Sequence, residues 1–416
     1  MGTNRPPFSE CVFLVLVASL PVMRPVLLEI GTHAIPPADF IFVVAMLAAM
    51  LDVVSRRRSL PRSKVLQWVA LYGAALFVSS VMSADRTRSF IKFAGDCYLF
   101  GLMALVIFHV RSAAALRRAL LAWIAGVVVT LVAVVTGLVL FAAGVTDPTR
   151  NLVLSIHGSL PEGAYPRVMG LFLNPNMYCA YMVASLAIVI AMCRAGWMTR
   201  RIGVIIGVGV SGAALWSLSP GLGGLLLVVA FGAWAHWKDS RPGLARAIVV
   251  AGAFGAACFF LAATVSPEPG SSLALERLRP SSRVLAWVGA LKTFPAHPWF
   301  GKGLGLEVVE IGYVNPSGIY ELLTDAHNTW LSVLAQCGLV GLAAFVAMNV
   351  ALLRGASLGA SATPRDRMHA GLRMAFLAGF LYQSLSGSFE NTRHVWVLMG
   401  LLASVPTLST LDTEPS

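Results

Sequence analysis

Apolar stretches of about 20 residues recur from one end of this chain to the other, and nothing constrains its fold more. A helix needs about 20 such residues to cross roughly 30 Å of hydrocarbon, where the backbone must satisfy its own hydrogen bonds. Twelve stretches bounded by charged or turn-forming residues begin near Cys11, Ala38, Val65, Phe90, Leu120, Met169, Ile202, Gly221, Ala247, Trp330, Met374 and His394. The seventh and eighth are separated only by Trp216-Ser-Leu-Ser-Pro-Gly-Leu-Gly, and the last is short. The first lacks a small-residue cleavage site, so it reads as a span and not as a removed signal. Only 12% of the residues are charged, about half of what a water-soluble chain carries. The expected fold class is an all-α polytopic membrane protein of about 12 transmembrane helices, one membrane domain over residues 1–416.

Charge sets the orientation. Assigning alternate loops to one side collects Arg5; Arg56, Arg57, Arg58, Arg62 and Lys64; Arg111, Arg117 and Arg118; Arg194, Arg200 and Arg201; Lys238, Arg241 and Arg246; and Arg354, Arg365, Arg367 and Arg373. These are most of the 31 basic residues, and short cytoplasmic loops gather Lys and Arg in this way. An even number of spans then places both termini in the cytoplasm. The net charge of +12 is thereby a topology signal, and the partners it points to are membrane lipids and no nucleic acid. The cysteines Cys11, Cys97, Cys179, Cys193, Cys258 and Cys337 lie in apolar stretches without a CxxC pair or a Cys/His cluster, so no metal centre is expected.

Two long loops fall on the other face, over residues 144–167 and 266–329. The second has roughly 60 residues, too many for a connector. Within it Ser281 and Ser282 offer an N-cap, and Val284, Leu285, Trp287, Val288 and Leu291 recur at helical spacing beside Arg283 and Lys292. That pattern predicts an amphipathic helix, lying on the membrane surface or packed over the bundle, in a loop inserted between spans 9 and 10.

Residues able to carry chemistry gather on this face. Asp325-Ala-His327-Asn328-Thr-Trp330 precedes the tenth span, so His327 sits at a helix N-terminus. The positive end of the dipole there favours a neutral imidazole, suited to a general base with Asp325 to orient it. The alternative is an interfacial histidine beside an Asn328 that merely caps the helix. Phe294-Pro-Ala-His297-Pro-Trp-Phe-Gly301-Lys302-Gly303-Leu-Gly305 has alternate glycines around a lysine, either an anion-binding turn or only a turn. Pro166-Arg167-Val-Met-Gly170-Leu-Phe-Leu-Asn174-Pro175-Asn176 places an arginine, two amides and a proline in the expected first turns of a span. Such groups either face a polar cavity or satisfy one another in a kinked helix. In Ser388-Phe-Glu390-Asn391-Thr-Arg393-His394, Glu390 and Arg393 either reach substrate or pair with each other. Asp39, Asp52, Lys92 and Asp96 lie in or beside spans; Asp52 reads as a boundary residue near Arg56, and Lys92 and Asp96, four apart, as a pair on one helix face.

Taken together, Arg167-x-x-Gly170 with Asn174-Pro175-Asn176, Arg283-x-x-x-Trp287 with Pro298-Trp-Phe-Gly301-x-Gly303, and His327-Asn328-x-x-Leu331 with Gly338-x-x-Gly341 resemble the O-antigen ligase and polymerase family. The resemblance implies a GT-C-like, inverting, metal-independent glycosyltransferase of the bacterial inner membrane, without a cofactor and with its active site on the periplasmic face. Its donor would be an undecaprenyl-diphosphate-linked glycan. Ligases transfer it to the lipid A-core oligosaccharide, polymerases to another carrier-linked chain, and protein O-oligosaccharyltransferases to protein. By similarity His327 corresponds to the histidine that activates the acceptor, and Arg283 to the loop arginine that holds the diphosphate. Many relatives carry Ser-Arg in the outer turn between two central spans, where this chain reads Ser219-Pro220-Gly221. Arg167 or Lys302 would then supply the missing cation. Arg167, Asn174, Asn176, Lys292, Lys302, Asn328, Asp325, Glu390 and Arg393 are the expected substrate-binding residues.

A ligase is the expectation, since the chain reads to Ser416 without a sizeable soluble domain after its last span. A secondary transporter is the reading from another class. It would have repeated halves and polar groups at the bilayer midplane, and neither pattern is present.

Overall fold

The computed structural model describes residues 7–30, 33–55, 59, 63–147, 150–157, 165–267, 278–314, 320–354 and 363–408. Arg5, Arg56, Arg57, Arg58 and Arg62 lie outside these residues. Nine helices follow one another: α1 (Phe8–Ser19), α2 (Pro37–Val54), α3 (Lys64–Met82), α4 (Arg86–His109), α5 (Ala113–Ala142), α6 (Pro175–Arg194), α7 (Arg200–Trp216), α8 (Leu222–Trp237) and α9 (Pro242–Ala262). The long loop holds α10 (Ser282–Thr293), and α11 (Thr329–Leu353), α12 (Pro364–Phe376) and α13 (Arg393–Ser404) follow it. Sheet is confined to antiparallel hairpins among the described residues: β1 (Leu28–Ile30) with β2 (His33–Ile35), β3 (Leu154–His157) with β4 (Tyr165–Val168), β5 (Val265–Pro267) with β6 (Leu278–Pro280), and β7 (Ile311–Val314) with β8 (Tyr320–Leu323).

Among the described residues seven helices, α2 to α6, α9 and α11, are long and apolar enough to cross a membrane, and α1 and α8 are shorter apolar helices. The molecule is an all-α multi-pass membrane protein. Beyond α12 the chain continues through a π-turn (Leu377–Leu381) and a 3-10 turn (Gln383–Leu385).

Four helix starts differ from the sequence reading by five residues or more; of these, α5 begins at Ala113 and not near Leu120, and α9 at Pro242 and not near Ala247. The helix expected from Met374 begins at Pro364, where Thr363 accepts the Asp366 amide at 3.2 Å and proline occupies the first turn. The helix expected from Met169 begins at Pro175. Arg167 belongs to β4, paired across the hairpin with Ser155. Asn174 caps α6 by accepting the Asn176 amide at 2.7 Å, so Pro175 stands where a missing N–H costs nothing. The proline therefore starts α6 and neither kinks it nor frees carbonyls inside it.

The pillar of the bundle is α6. Of its apolar window 78% is buried, against 11% for α9, and it packs on α5, α7, α8 and α12. Its Ser185 and Tyr181 hydroxyls are paired, as hydrocarbon favours, whereas the Tyr178 hydroxyl is buried without a partner among the described residues. Trp123 Nε1 donates to Ser185 Oγ at 2.8 Å, and Tyr181 OH to the Trp123 carbonyl at 3.2 Å. Polar contacts sort the helix ends into two sets. At one end Arg118 Nε reaches Glu10 at 2.8 Å, Arg194 the Ala235 carbonyl at 3.2 Å, and Arg367 the Arg194 carbonyl at 3.0 Å. The opposite end holds the N-termini of α2, α4, α6, α11 and α13 with the C-termini of α7 and α12, joined through Asp39–Arg393, Lys92–Asn391, Arg167–Ser217 and Asn328–Leu385.

One helix is broken. At Gly338 (φ 65°, ψ −166°) α11 loses its helical path, and the segment after α10 fills the gap. Leu339 N donates to the Pro298 carbonyl at 2.8 Å and Val340 N to that of Trp299 at 3.2 Å; in return Lys302 N reaches the Ala335 carbonyl at 2.9 Å and Gly303 N that of Gln336 at 3.1 Å. A Cβ at Gly301 would overlap the Gln336 backbone, and one at Gly338 the Trp299 backbone. The glycines of this motif serve a close approach of two backbones.

Candidate active site

Where the ends of α6, α7, α9 and α11 meet α10 and the turn after α12, they enclose a cavity of about 850 Å³, within the range of small-ligand sites. Arg167, Asn174, Asn176, Ser219, Arg283, Asp325 and His327 all line it.

Arg167 is fixed from two sides. Its Nε donates to the Ser217 carbonyl at 2.6 Å and its Nη2 to Asn176 Oδ1 at 2.9 Å. Asn176 Oδ1 also accepts from Ser219 Oγ at 2.8 Å, and Trp216 Nε1 donates to the Pro166 carbonyl at 2.9 Å. The turn between α7 and α8 is thereby clamped to hairpin β3–β4. It is a strained turn, since Leu218 has φ 47°. Burial, and next the Arg283 guanidinium, push Arg167 down to about 10, so it remains a cation at neutral pH. Arg283, in the first turn of α10, is lowered by burial. No hydrogen bond or ion pair engages its side chain among the described residues. Two guanidiniums thus line one cavity, neither of them in an ion pair among the described residues, and their mutual repulsion favours an anion that touches both.

His327 stands on the α11 side of the cavity in a left-handed conformation (φ 47°), which costs a non-glycine residue about 1–2 kcal/mol. Its Nδ1 lies 3.5 Å from Asp325 Oδ2, and Asp325 Oδ1 accepts from Ser388 Oγ at 3.1 Å. Ser388, Asp325 and His327 stand in order beside one ring nitrogen, and among the described residues no hydrogen bond engages Nε2. Ser388 was not singled out as a site residue. The clue to it lay in the turn after α12, which is bound to the start of α11 by Thr329 Oγ1, donating to the Gly387 carbonyl at 3.1 Å.

Other expected substrate residues lie elsewhere. Asn328 is the N-cap of α11, its Oδ1 accepting the amides of Trp330 and Leu331 at 3.0 and 3.1 Å and its Nδ2 donating to the Leu385 carbonyl at 3.0 Å. Lys292 is exposed on α10, off the cavity. Lys302 turns its ammonium to the Glu307 carbonyl at 2.8 Å and to Glu310 at 3.3 Å. The glycine amides beside it are also taken: Gly301 N by the His297 carbonyl at 3.0 Å, Gly303 N by that of Gln336 at 3.1 Å, and Gly305 N by Gln336 Oε1 at 2.7 Å. None of the three glycine amides is therefore left to offer an anion. Of the two cations considered for the missing arginine, Arg167 is the one that touches the Ser217–Gly221 turn.

Glu390 and Arg393 do not pair with each other. Arg393 grips Asp39 with two bonds of 2.7 and 2.6 Å and donates to Tyr98 OH at 3.1 Å, tying α13 to α2 and α4. Glu390 sits in a small polar niche with Lys92, Asp96 and Gln336, where burial pushes it up to about 7. Lys92 and Asp96 pair at 3.2 Å on one face of α4, as their spacing predicts. Asp52 is bonded by Ser9 Oγ, and Arg56 lies outside the described residues.

Comparison with known proteins bears on the cavity directly. No curated protein matches the chain. Residues 179–346, which include the α7–α8 turn, α10 and the His327 segment, match the family model described as O-Antigen ligase. Over that stretch the chain is similar to the O-Antigen ligase family, the one its motifs resemble.

Proposed function

We propose that this protein is the O-antigen ligase itself, an inverting, metal-independent glycosyltransferase of the GT-C-like type. It transfers O-antigen polysaccharide from undecaprenyl diphosphate to a sugar of the lipid A core. In this reading the chain crosses the bacterial inner membrane twelve times with both termini in the cytoplasm, and the cavity opens on the periplasmic face. The observation that carries it is the cavity that two guanidiniums in no ion pair among the described residues, Arg167 and Arg283, share with His327.

The chemistry follows from those groups. Breaking the bond from the anomeric carbon to the diphosphate leaves negative charge on the leaving group, and a fixed donor aimed at such charge is worth about 3–4 kcal/mol. Arg167, already held by Ser217 and Asn176, needs no reorganisation to act. On the opposite side of the anomeric carbon His327 Nε2 takes the proton of the acceptor hydroxyl as the new bond forms, a contribution of roughly 10²–10⁴ in rate. Asp325 steadies the imidazolium. Attack opposite to departure inverts the anomeric centre.

The test is to delete the gene in its host, separate lipopolysaccharide and carrier-linked glycans on gels, and complement with wild type or His327→Ala. The expected result is polymer lost from the lipid A core and long chains retained on the carrier, restored by wild type alone. Single repeat units on the carrier would make the protein a polymerase using the same cavity. Normal transfer by His327→Ala would remove the base from the scheme.

A further inference from the structure

A second, larger cavity lies away from the first. Helices α7 and α8 both pack on α6 but touch each other little, and between them runs a groove of about 1090 Å³ with α6 as its floor. One wall is the face of α7 from Arg200 through Val204, Val208 and Gly212 to Leu215, a length of about 22 Å at 1.5 Å per residue. The lining is apolar along that length and changes abruptly at one end, where Arg194, Arg200, Arg367 and His236 surround the mouth. That mouth is at the start of α7; the catalytic cavity begins past its end, at Leu218 and Ser219.

The guanidiniums at the mouth are not held in ion pairs among the described residues, although Asp239 acts on Arg194 from beyond contact distance. Arg194 and Arg367 donate to the carbonyls of Ala235 and Arg194, and among the described residues no carboxylate forms an ion pair with Arg194, Arg200 or Arg367. Three cations over one end of a membrane-facing apolar groove match an anionic headgroup joined to a hydrocarbon chain. We propose that this groove is a binding site for an anionic phospholipid, with its phosphate on Arg194, Arg200 and Arg367 and one acyl chain lying along α7 towards Leu215. The site is separate from the donor site, because the groove's cations and the Arg167–Arg283 pair stand at opposite ends of α7.

Binding is measured on the delipidated full-length protein by native mass spectrometry, titrating phosphatidylglycerol and phosphatidylcholine in parallel. Wild type is expected to hold one phosphatidylglycerol roughly a hundredfold more tightly than phosphatidylcholine, since each of the three cations at a membrane surface contributes about fivefold. Arg200→Glu with Arg367→Glu should abolish the preference. A Cβ at position 212 meets no protein atom within 4 Å, so Gly212→Leu starts from open space in the groove and should weaken both lipids. Gly207→Leu, whose first neighbour is Leu186 Cδ1 at 3.5 Å, repeats the block one turn away. Equal affinity for the two lipids in wild type would overturn the proposal, as would a preference that survives the double reversal. Displacement of phosphatidylglycerol by inorganic phosphate with no effect of Gly212→Leu would reduce the site to an anion patch. Phosphatidylglycerol binding unchanged in Gly212→Leu while glycan transfer from the carrier falls would give the groove to the donor's polyprenyl tail.

Discussion

The seam between the α10–α11 loop and the break in α11 makes the most quantitative claim on this structure. Gly301→Ala meets two penalties. Its φ of 75° costs an L-residue about 1–2 kcal/mol, and the new methyl would fall on the Gln336 backbone, which cannot rotate aside. Forcing the two backbones apart strains the bonds from Lys302 and Gly303 to α11, so the total is about 3 kcal/mol or more. Gly338→Ala meets the same seam from the other side, with φ 65° and the Trp299 backbone in the way. Gly196 supplies the control, since its φ is 77° but a Cβ there has no neighbour within 4 Å; Gly196→Ala should cost only the conformational part, about 1 kcal/mol. Thermal unfolding of the purified proteins in one detergent, followed by tryptophan fluorescence, should show both seam variants melting several degrees below the control. The double variant should fall short of the summed losses by about 1 kcal/mol or more, because the second methyl enters a seam already opened. A Gly301→Ala protein as stable as Gly196→Ala, or strict additivity at the seam, would refute the reasoning.

Three further outcomes follow from the site and its surroundings. Glu390 is held up to about 7 mainly by burial, opposed by Lys92 and helped by Asp325. Its protonated form is therefore the one the fold prefers; the stability it contributes is complete below about 4.5 and lost as pH rises to about 7, about 3 kcal/mol in all. Glu390→Gln should flatten melting profiles across that window and raise stability above pH 7; a profile as steep as wild type would contradict it. Arg167→Ala should lower transfer about 10²-fold, and Arg167→Lys should recover little, because one ammonium cannot hold Ser217 and Asn176 while facing an anion; full activity in the lysine variant would argue against a positioned guanidinium. Arg393→Gln should destabilise by about 2 kcal/mol by stranding Asp39, and the double variant with Asp39→Asn should regain most of it in the same melting assay; no recovery would show that the pair is not what Arg393 supports.

What the sequence disclosed, and what it hid, follows physical lines. Helices announced by 20-residue apolar runs stand close to where they were expected, because the bilayer leaves the backbone no other economical choice. The start of α6 was misread because a strand hairpin before a capped helix and a polar first turn have the same composition; only pairing across residues 154–168 separates them, and pairing is a tertiary fact. The cations divided in the same way. Arg167 and Arg283 entered the cavity, whereas Lys302 and Arg393 found partners in Glu310 and Asp39, one near in sequence and one at the other end of the chain. The glycine motif was visible as a demand for close approach, but not whether an anion or the chain itself would make it. The strain at His327 leaves no mark on composition at all.

The seam at Gly338 also has a meaning for how the molecule is made. The segment that completes the broken helix precedes that helix in the chain by a few dozen residues, so it has been synthesised before α11 enters the membrane. Closing so short a loop costs little entropy, and the partner carbonyls of Pro298 and Trp299 are present as soon as Leu339 and Val340 arrive. The stretch from α10 to α11 therefore assembles as one local unit during biogenesis. The His327 end of α11 is completed only afterwards, when the turn after α12 arrives to bond Asp325, Asn328 and Thr329.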